Sequence, residues 1–261
     1  MLVIKRSGER EQYDPRKTRA SLMKSGMSQS EADAIIEKLR IHLYDGISTE
    51  EIYRKLNMML DAERKVKFGL KKAIMNLGPD GYAFETFTAK IFESLGYETK
   101  IRQMVQGQCV QHEVDVVLLK DGRKETVECK FHNSQGIKCS IQTALYTFGR
   151  FLDLQNIENL ERVWLVTNTR FSSDVVQYAR CMNIGLLGWR YPEEKSLEDI
   201  IEEHRLYPIT AMDLKRSDVK ELLCHDFVLA SDLVDRKDEI RRVLPWLDIS
   251  RMSKNVSALL G

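Results

Sequence analysis

Residues 112–130 read HEVDVVLLKDGRKETVECK, and this stretch decides the fold that we predict for the chain. Segments 114–119 and 125–130 are rich in β-branched residues, which favour strands. The Asp121-Gly122 pair between them is typical of a two-residue hairpin turn. The sequence therefore predicts two adjacent antiparallel strands.

Three charged side chains of this hairpin are candidates for chemistry. Glu128 and Lys130 share a strand face because side chains alternate with a period of two, and Asp115 lies on the neighbouring strand. This set suits phosphodiester hydrolysis, in which carboxylates hold Mg²⁺, the metal activates water, and the lysine positions that water or stabilises developing charge. Charged residues at strand ends also occur on solvated surface hairpins, so these three residues alone leave both interpretations open.

The composition is that of an ordinary globular chain of 261 residues, with 43% hydrophobic and 30% charged residues. Its five cysteines form no C-x-x-C pair, so neither a zinc ribbon nor a disulfide framework is indicated. The first residues, MLVIKRSGER, carry charges where a signal peptide needs an apolar core. No apolar run approaches the roughly 20 residues that span a bilayer. We therefore expect a cytoplasmic protein with no membrane partner.

The first 79 residues predict a small strand pair followed by helices. Segments 2–6 and 10–13 have strand character, and Asp14-Pro15 is a helix start with Asp14 as the N-cap. The first 80 residues are net basic, which favours an anionic ligand.

This segment resembles the ATP-cone, the nucleotide-binding regulatory module of ribonucleotide reductases and of their repressor. The matching residues are Val3-x-Lys5-Arg6-x-Gly8, Tyr13-Asp14 and Lys17. The resemblance implies that ATP or dATP binds at Val3, Lys5, Arg6 and Lys17, and basic side chains beside a helix N-terminus agree with a triphosphate site. The alternatives are a basic bundle that is solvated or touches nucleic acid, and a degenerate cone that binds nothing.

Residues 80–191 predict a second domain. A helix over 81–95 places Glu85 at the edge of its buried face, where it is either a site residue or an ordinary surface glutamate. Strand, helix and strand over 162–189 form a βαβ unit, which predicts an α/β fold with a mixed sheet flanked by helices.

This region resembles the Mrr-type branch of the PD-(D/E)xK restriction endonuclease superfamily. The matching motifs are Gly81-x-x-Phe84-Glu85, Leu95-Gly96-Tyr97, Glu113-x-Asp115-Val116-Val117 and Val127-Glu128-Cys129-Lys130. The resemblance implies a restriction-endonuclease-like fold, Mg²⁺ on Asp115 and Glu128, a catalytic Lys130 and an auxiliary Glu85. Members of this branch usually have glycine-rich surroundings before the aspartate, whereas this chain has Gln111-His112-Glu113. That departure leaves the roles of His112 and Glu113 open, and His132 is likewise unassigned.

Gln142 and Tyr146 lie at i and i+4, on one face of a predicted helix. The Q-x-x-x-Y spacing is similar to an element of the RecB-like nucleases and implies that Gln142 lies beside the active site, near DNA. The alternative is a polar residue next to a core tyrosine.

Residues 192–261 predict a net acidic helical appendix, for which packing or an oligomer contact is favoured over DNA binding. The predicted domains are thus 1–79, 80–191 and 192–261. Because ATP-cones act through oligomer contacts, we also expect a homo-oligomer.

The sequence predicts a nucleotide-regulated, Mg²⁺-dependent DNA endonuclease of the restriction or DNA-processing type. The main alternative is a non-catalytic ATP- or dATP-sensing regulator that binds DNA or a partner on a nuclease-like scaffold, and RNA cleavage is a second enzymatic alternative. ATP hydrolysis is not expected, since the chain has no G-x-x-x-x-G-K-[ST] loop. The DNA target and the direction of nucleotide control stay open.

Overall fold

A computed structural model describes residues 1–5 and 7–260. The chain divides into two compact units, Met1–Lys71 and Lys72–Gly261. No helix within the described residues is both long enough and apolar enough to cross a membrane.

The first unit is a three-stranded sheet with helices. Its strands are β1 (Leu2–Ile4), β2 (Arg10–Gln12) and β3 (Ile47–Ser48), and its helices are α1 (Pro15–Lys24), α2 (Gln29–Arg40), α3 (Thr49–Met58) and α4 (Ala62–Met75), the last of which continues into the second unit. The strand order is β2-β1-β3, with β1 and β3 parallel. The sequence predicted the antiparallel pair β1–β2 but not β3.

Local capping signals explain where the first helices begin. Asp14 caps α1 by accepting a hydrogen bond from the Arg16 N–H, and Pro15 is the first helical residue, as expected. Ser28 and Glu31 form a complete capping box at α2.

The second unit is built on a five-stranded mixed sheet in the order β10-β8-β6-β5-β4. Its elements up to the last strand are α5 (Tyr82–Ser94), β4 (Glu98–Gln106), β5 (Gln111–Lys120), β6 (Arg123–Lys130), β7 (Lys138–Cys139), α6 (Ile141–Glu158), β8 (Leu160–Thr167), β9 (Arg170–Phe171), α7 (Ser173–Met182) and β10 (Gly185–Leu187). Strands β4, β5 and β6 are antiparallel, while β6, β8 and β10 are parallel. The predicted α/β fold with a mixed sheet is confirmed.

The hairpin between β5 and β6 has the predicted turn. Lys120 pairs with Arg123, so Asp121 and Gly122 form a two-residue loop. Both have positive φ, 51° and 78° respectively, which is the conformation that Asp-Gly turns adopt most readily.

Apolar residues on α5 and α6 hold helices against the sheet. Helix α5 buries Phe84, Phe87 and Phe92 and contacts β4, β5 and β6. Helix α6 contributes Phe151 and Leu154 to a core cluster shared with β8 and α7. The strands that carry the candidate site are therefore packed against α5, which precedes them in the chain, and against α6, which follows them.

The residues after β10 form α8 (Leu197–Glu203), a 3-10 turn (Ile209–Ala211), α9 (Arg216–Cys224), α10 (Asp232–Asp235), α11 (Lys237–Val243) and α12 (Ile249–Leu260). They belong to the second compact unit. The Thr86 hydroxyl of α5 donates to the Asp226 carboxylate at 2.7 Å, and the Thr210 hydroxyl donates to the Ala73 carbonyl at 2.7 Å. Two hydrogen bonds thus join this segment to Ala73 and to α5.

Candidate active site

The strand pair β5–β6 separates where its acidic residues begin. The last pair of the β5–β6 ladder is Val116–Val127, and Asp115 and Glu128 are the next residues beyond that pair on their strands. Beyond that last pair, the Cys129 N–H donates to the Asp115 Oδ2 at 2.6 Å. This hydrogen bond fixes Asp115 beside β6 at the open end of the hairpin.

Glu128 is paired with an arginine from α6. The Arg150 Nη1 donates to the Glu128 Oε2 at 2.6 Å and to the Glu113 carbonyl at 2.8 Å. The two paired side chains are only 15% and 16% exposed. Arg150 therefore joins α6 to both strands of the separated hairpin.

Glu85 approaches the same place from α5. Its side chain is 15% exposed, and its Oε2 is buried without a hydrogen bond from any described residue. The nearest cation is Arg102, whose Nη1 lies 3.7 Å from that oxygen. The Glu85 carboxylate is therefore largely buried, with one arginine nearby and no hydrogen bond to its Oε2 from the described residues.

Arg102 is held in place by a residue of the C-terminal segment. It lies on β4 between the pairs Ile101–Val116 and Gln103–Val114, hence opposite Asp115, and its φ is 51°. Its Nη2 donates to both Asp226 carboxylate oxygens, at 3.0 and 3.1 Å.

The three carboxylates perturb one another. Burial and the Asp115 charge raise the pKa of Glu85 to about 7, against the opposing effect of Arg102. Burial and Asp115 likewise raise the pKa of Glu128 to about 7, opposed by Arg150 and Lys130. Burial also raises the pKa of Asp115, which the Cys129 N–H counteracts. The Asp115 charge thus acts on both Glu85 and Glu128.

Lys130 lies on the same face of β6 as Glu128 and is exposed. Its ammonium makes no hydrogen bond or ion pair with another described residue, while its carbonyl accepts from the Thr167 hydroxyl at 2.7 Å. The backbone is thus fixed and the charged end is available to a ligand.

One face of α6 borders this site. Gln142, Tyr146 and Arg150 follow one another at intervals of four residues, and Gln142 and Tyr146 are exposed. The Arg150 Nη2 donates to the Tyr146 hydroxyl, and its guanidinium lies 4.8 Å from the centre of the tyrosine ring. Tyr146 is therefore a surface residue, not a core one. Arg150 was missed from the sequence, although the i+4 spacing that singled out Tyr146 extends to it.

His112, Glu113 and His132, to which the sequence assigned no role, each contact another residue of the fold. The His112 Nε2 lies 2.8 Å from the Asp153 Oδ2, and Glu113 uses its carbonyl to bind Arg150. The His132 backbone N–H donates to the Asn168 Oδ1 at 2.8 Å, and the Asn168 Nδ2 donates to the His132 carbonyl at 2.9 Å.

A hard divalent cation fits this cluster. Carboxylate oxygens are the ligands that Mg²⁺ prefers, and the unsatisfied buried Oε2 of Glu85 faces excess negative charge. No three His, Cys, Asp or Glu side chains among residues 1–5 and 7–260 are arranged to hold an ion by themselves. A pair of carboxylates completed by water is how Mg²⁺ is commonly held. The two carboxylates at the separated strand ends are those of Asp115 and Glu128.

The first unit brings together two of the residues proposed for nucleotide binding. The Lys5 and Lys17 ammonium groups lie 2.8 and 3.2 Å from separate Glu11 carboxylate oxygens. Val3 is 3% exposed and lies in the core of this unit, on the strand that pairs with both β2 and β3. Arg6 lies outside the described residues.

Comparisons with known proteins place both halves of the chain. Residues 1–75 match the family model of the ATP cone domain, and residues 78–188 match that of the restriction endonuclease. An uncharacterized protein of Archaeoglobus fulgidus is 39% identical over 151 residues, which are 58% of this chain and 86% of that protein.

A crystal structure of a protein of unknown function, AF1548, is similar with a TM-score of 0.59 and 34% identity, covering 68% of this chain and 95% of that one. The chain belongs to the same family as its Archaeoglobus relative, and it is an ATP-cone domain fused to an Mrr-like restriction endonuclease domain.

Proposed function

We propose that this protein is a nucleotide-regulated, Mg²⁺-dependent DNA endonuclease that hydrolyses phosphodiester bonds. The observation that supports this best is that the partly buried carboxylates of Asp115 and Glu128 lie at the open end of the hairpin. The exposed Lys130, whose ammonium has no ion pair with any other described residue, lies on the same face of β6 as Glu128. Burying carboxylates of like charge is costly. Phosphodiester hydrolysis uses both the carboxylates and the ammonium.

Asp115 and Glu128 would hold the metal ion, with Glu85 as the auxiliary acidic residue. When bound, Mg²⁺ supplies a Lewis acid for the phosphate and lowers the pKa of a coordinated water. The Cys129 N–H fixes the direction of the Asp115 carboxylate, and Arg150 fixes that of Glu128. Helix α6 and strand β6 thus orient the metal-binding oxygens before substrate arrives.

Lys130 would act on the substrate directly. Its ammonium stands on the Glu128 face of β6, where it can orient the attacking water or stabilise charge that develops on the phosphate. Gln142 and Tyr146 are exposed on the adjoining face of α6 and would contact the DNA strand that enters the site.

Nucleotide control would operate through Lys5, Arg6 and Lys17. Glu11 neutralises Lys5 and Lys17, so a triphosphate that binds these lysines must displace that carboxylate. ATP or dATP binding would then change how the first unit acts on the nuclease, whether by activation, inhibition or assembly.

The direct test is nicking of supercoiled plasmid DNA with and without Mg²⁺ and ATP. We expect Mg²⁺-dependent nicking by the wild-type protein and a loss of about 100-fold or more in Asp115→Asn and Lys130→Met. Glu161→Gln, an exposed carboxylate on β8, is the matched control and should cleave normally. Cleavage by Asp115→Asn at the wild-type rate would rule out the assigned site.

Parallel reactions separate the remaining alternatives. Preferential cleavage of RNA would redirect the assignment to a ribonuclease. An absence of cleavage with every substrate, combined with ATP binding measured by calorimetry, would support the non-catalytic sensor instead. Calorimetry with ATP and dATP on Lys5→Ala and Lys17→Ala tests the nucleotide site separately from cleavage.

A further inference from the structure

A small parallel sheet carries two exposed cations beside the candidate active site. Strands β7 and β9 pair Lys138 with Arg170 and Cys139 with Phe171. Cys139 and Phe171 belong to the buried core, at 0% and 8% exposure. Because side chains alternate across a strand, Lys138 and Arg170 both point to the opposite, solvent face, next to each other.

These cations have no acidic partner. Lys138 and Arg170 are exposed, and neither forms an ion pair with any residue in 1–5 or 7–260. Other surface cations of this chain do form ion pairs, as Arg190 does with Glu198 at 2.8 Å. The first turn of α6, which follows β7, has no acidic residue either. The first turn of α7, which follows β9, contains one acidic residue, Asp174, against the two cations of this strand pair.

The pair lies at the same end of the main sheet as the carboxylates. Strands β6 and β8 are parallel and pair as far as Lys130 and Thr167, and β9 begins three residues after Thr167. The chain leaving β6 returns as β7 beside β9. Both cations thus lie on chain segments that follow the carboxyl ends of β6 and β8.

A second observation relates Lys130 to this small sheet. Burial raises the pKa of the Cys139 thiol, and the Thr143 hydroxyl and the Lys130 charge act in the opposite direction. Lys130 is therefore close enough to Cys139, the neighbour of Lys138, for its charge to be felt. Lys138 and Arg170 form an exposed cationic pair, which we name the β7–β9 patch, on the segments that follow Lys130 and Thr167.

We infer that the β7–β9 patch is a docking surface for the phosphate backbone of double-stranded DNA, with Lys138 and Arg170 gripping phosphates that flank the one presented to Lys130. This inference rests on the proposed function for the identity of the polyanion. A duplex offers negative charges at regular short spacing, and an unpaired lysine and arginine are the side chains that most often meet them. Backbone contacts of this kind set position and carry no sequence preference.

The test is the salt dependence of DNA binding, measured without chemistry. Anisotropy of a labelled DNA duplex in EDTA, over a series of KCl concentrations, compares the wild type with the double variant Lys138→Ala/Arg170→Ala. Each lost phosphate contact should reduce the slope of log affinity against log salt by about 0.9, so we expect a reduction of about 2 and an affinity loss of about tenfold or more at low salt. Both residues are exposed, and the variants should fold normally.

A matched control removes the same charge elsewhere. Arg180 and Lys220 are exposed and unpaired among the described residues, on the last turn of α7 and on α9. Arg180→Ala/Lys220→Ala should keep the wild-type slope. An unchanged slope in the Lys138/Arg170 variant, an equal loss in the control, or tighter wild-type binding to an RNA duplex would each overturn the inference.

The binding and nicking assays can refute the docking surface and the nuclease separately. A wild-type protein that binds DNA through Lys138 and Arg170 but never nicks it would refute the nuclease and leave the docking surface standing. A protein that nicks DNA with Mg²⁺ while the double variant binds like the wild type would refute the docking surface and leave the nuclease standing.

Discussion

Replacing Glu85 with glutamine should make the protein more stable in the absence of divalent metal. The folded pKa of Glu85 is about 7, against an ordinary value of 4.5, because its carboxylate is buried near Asp115. A raised folded pKa means that the native state binds the proton more tightly than the unfolded chain. Stability contributed by this group is therefore lost as the pH rises from about 4.5 to about 7, and the loss is complete above that range.

The size of the effect follows from the shift. One pKa unit corresponds to about 1.4 kcal/mol, so the ionised carboxylate costs the folded state up to about 3 kcal/mol. The side chain is 15% exposed, and the amide keeps its own desolvation cost, which reduces the expected gain to about 1–3 kcal/mol at pH 8. At pH 5 the gain should nearly vanish, because wild-type Glu85 is then protonated in the native state.

Urea denaturation of both proteins in EDTA, at pH 8 and pH 5, measures this directly. Glu93→Gln is the matched control on the same helix, where the exposed Glu93 pairs with Lys90 at 2.8 Å. This variant should change the free energy of unfolding by no more than about 1 kcal/mol. Added Mg²⁺ should stabilise the wild type more than Glu85→Gln. A variant that is no more stable than wild type at pH 8, or equally stabilised at both pH values, would refute the view that Glu85 is an electrostatically strained site residue.

Three further outcomes test other parts of the structure. Asp153→Asn should lower the free energy of unfolding at neutral pH, and it should reduce the dependence of that free energy on pH between about pH 3.8 and pH 2. Hydrogen bonds from the Cys109 thiol, the His112 imidazole and the backbone N–H groups of Cys109 and Val110 hold the pKa of Asp153 at about 2. The stability that Asp153 adds is therefore lost as the pH falls through that window. Gly107→Ala should destabilise the fold by about 1–3 kcal/mol in urea denaturation, because its Cβ would clash with the Asp153 carboxylate and meet the Val110 carbonyl at 2.8 Å. Glu11→Gln should raise ATP affinity severalfold by calorimetry, because it removes the carboxylate that competes with phosphate for Lys17.

Local sequence rules predicted the hairpin and the position of its charges. The Asp121-Gly122 turn fixes the register, and the register determines which of Glu128 and Cys129 faces the site. These are short-range properties of the chain, so a single sequence is enough to derive them.

The partners of the carboxylates were not predictable in the same way. Arg150 reaches Glu128 across 22 residues, and Asp226 reaches Arg102 across 124 residues. Nothing in local propensity specifies such pairs, since they depend on how α6 and the C-terminal segment pack on the sheet. The helical spacing of Gln142 and Tyr146 indicated one face of α6, and extending that spacing by one more turn leads to Arg150, which pairs with Glu128.

The structure also bears on whether this end of the sheet is a solvated hairpin or a site. A solvated hairpin would leave its carboxylates in water, at their ordinary pKa values, whereas Glu85 and Glu128 are both raised to about 7. Arg102 holds a left-handed backbone conformation that is unfavourable for a residue with a Cβ, by roughly 1–2 kcal/mol. Strain and unpaired burial persist where the surrounding structure enforces them, and they concentrate at functional sites. Asp226 contributes to that enforcement by holding Arg102, so the C-terminal segment belongs to the architecture of the candidate site and its removal should perturb Glu85 before it perturbs the sheet.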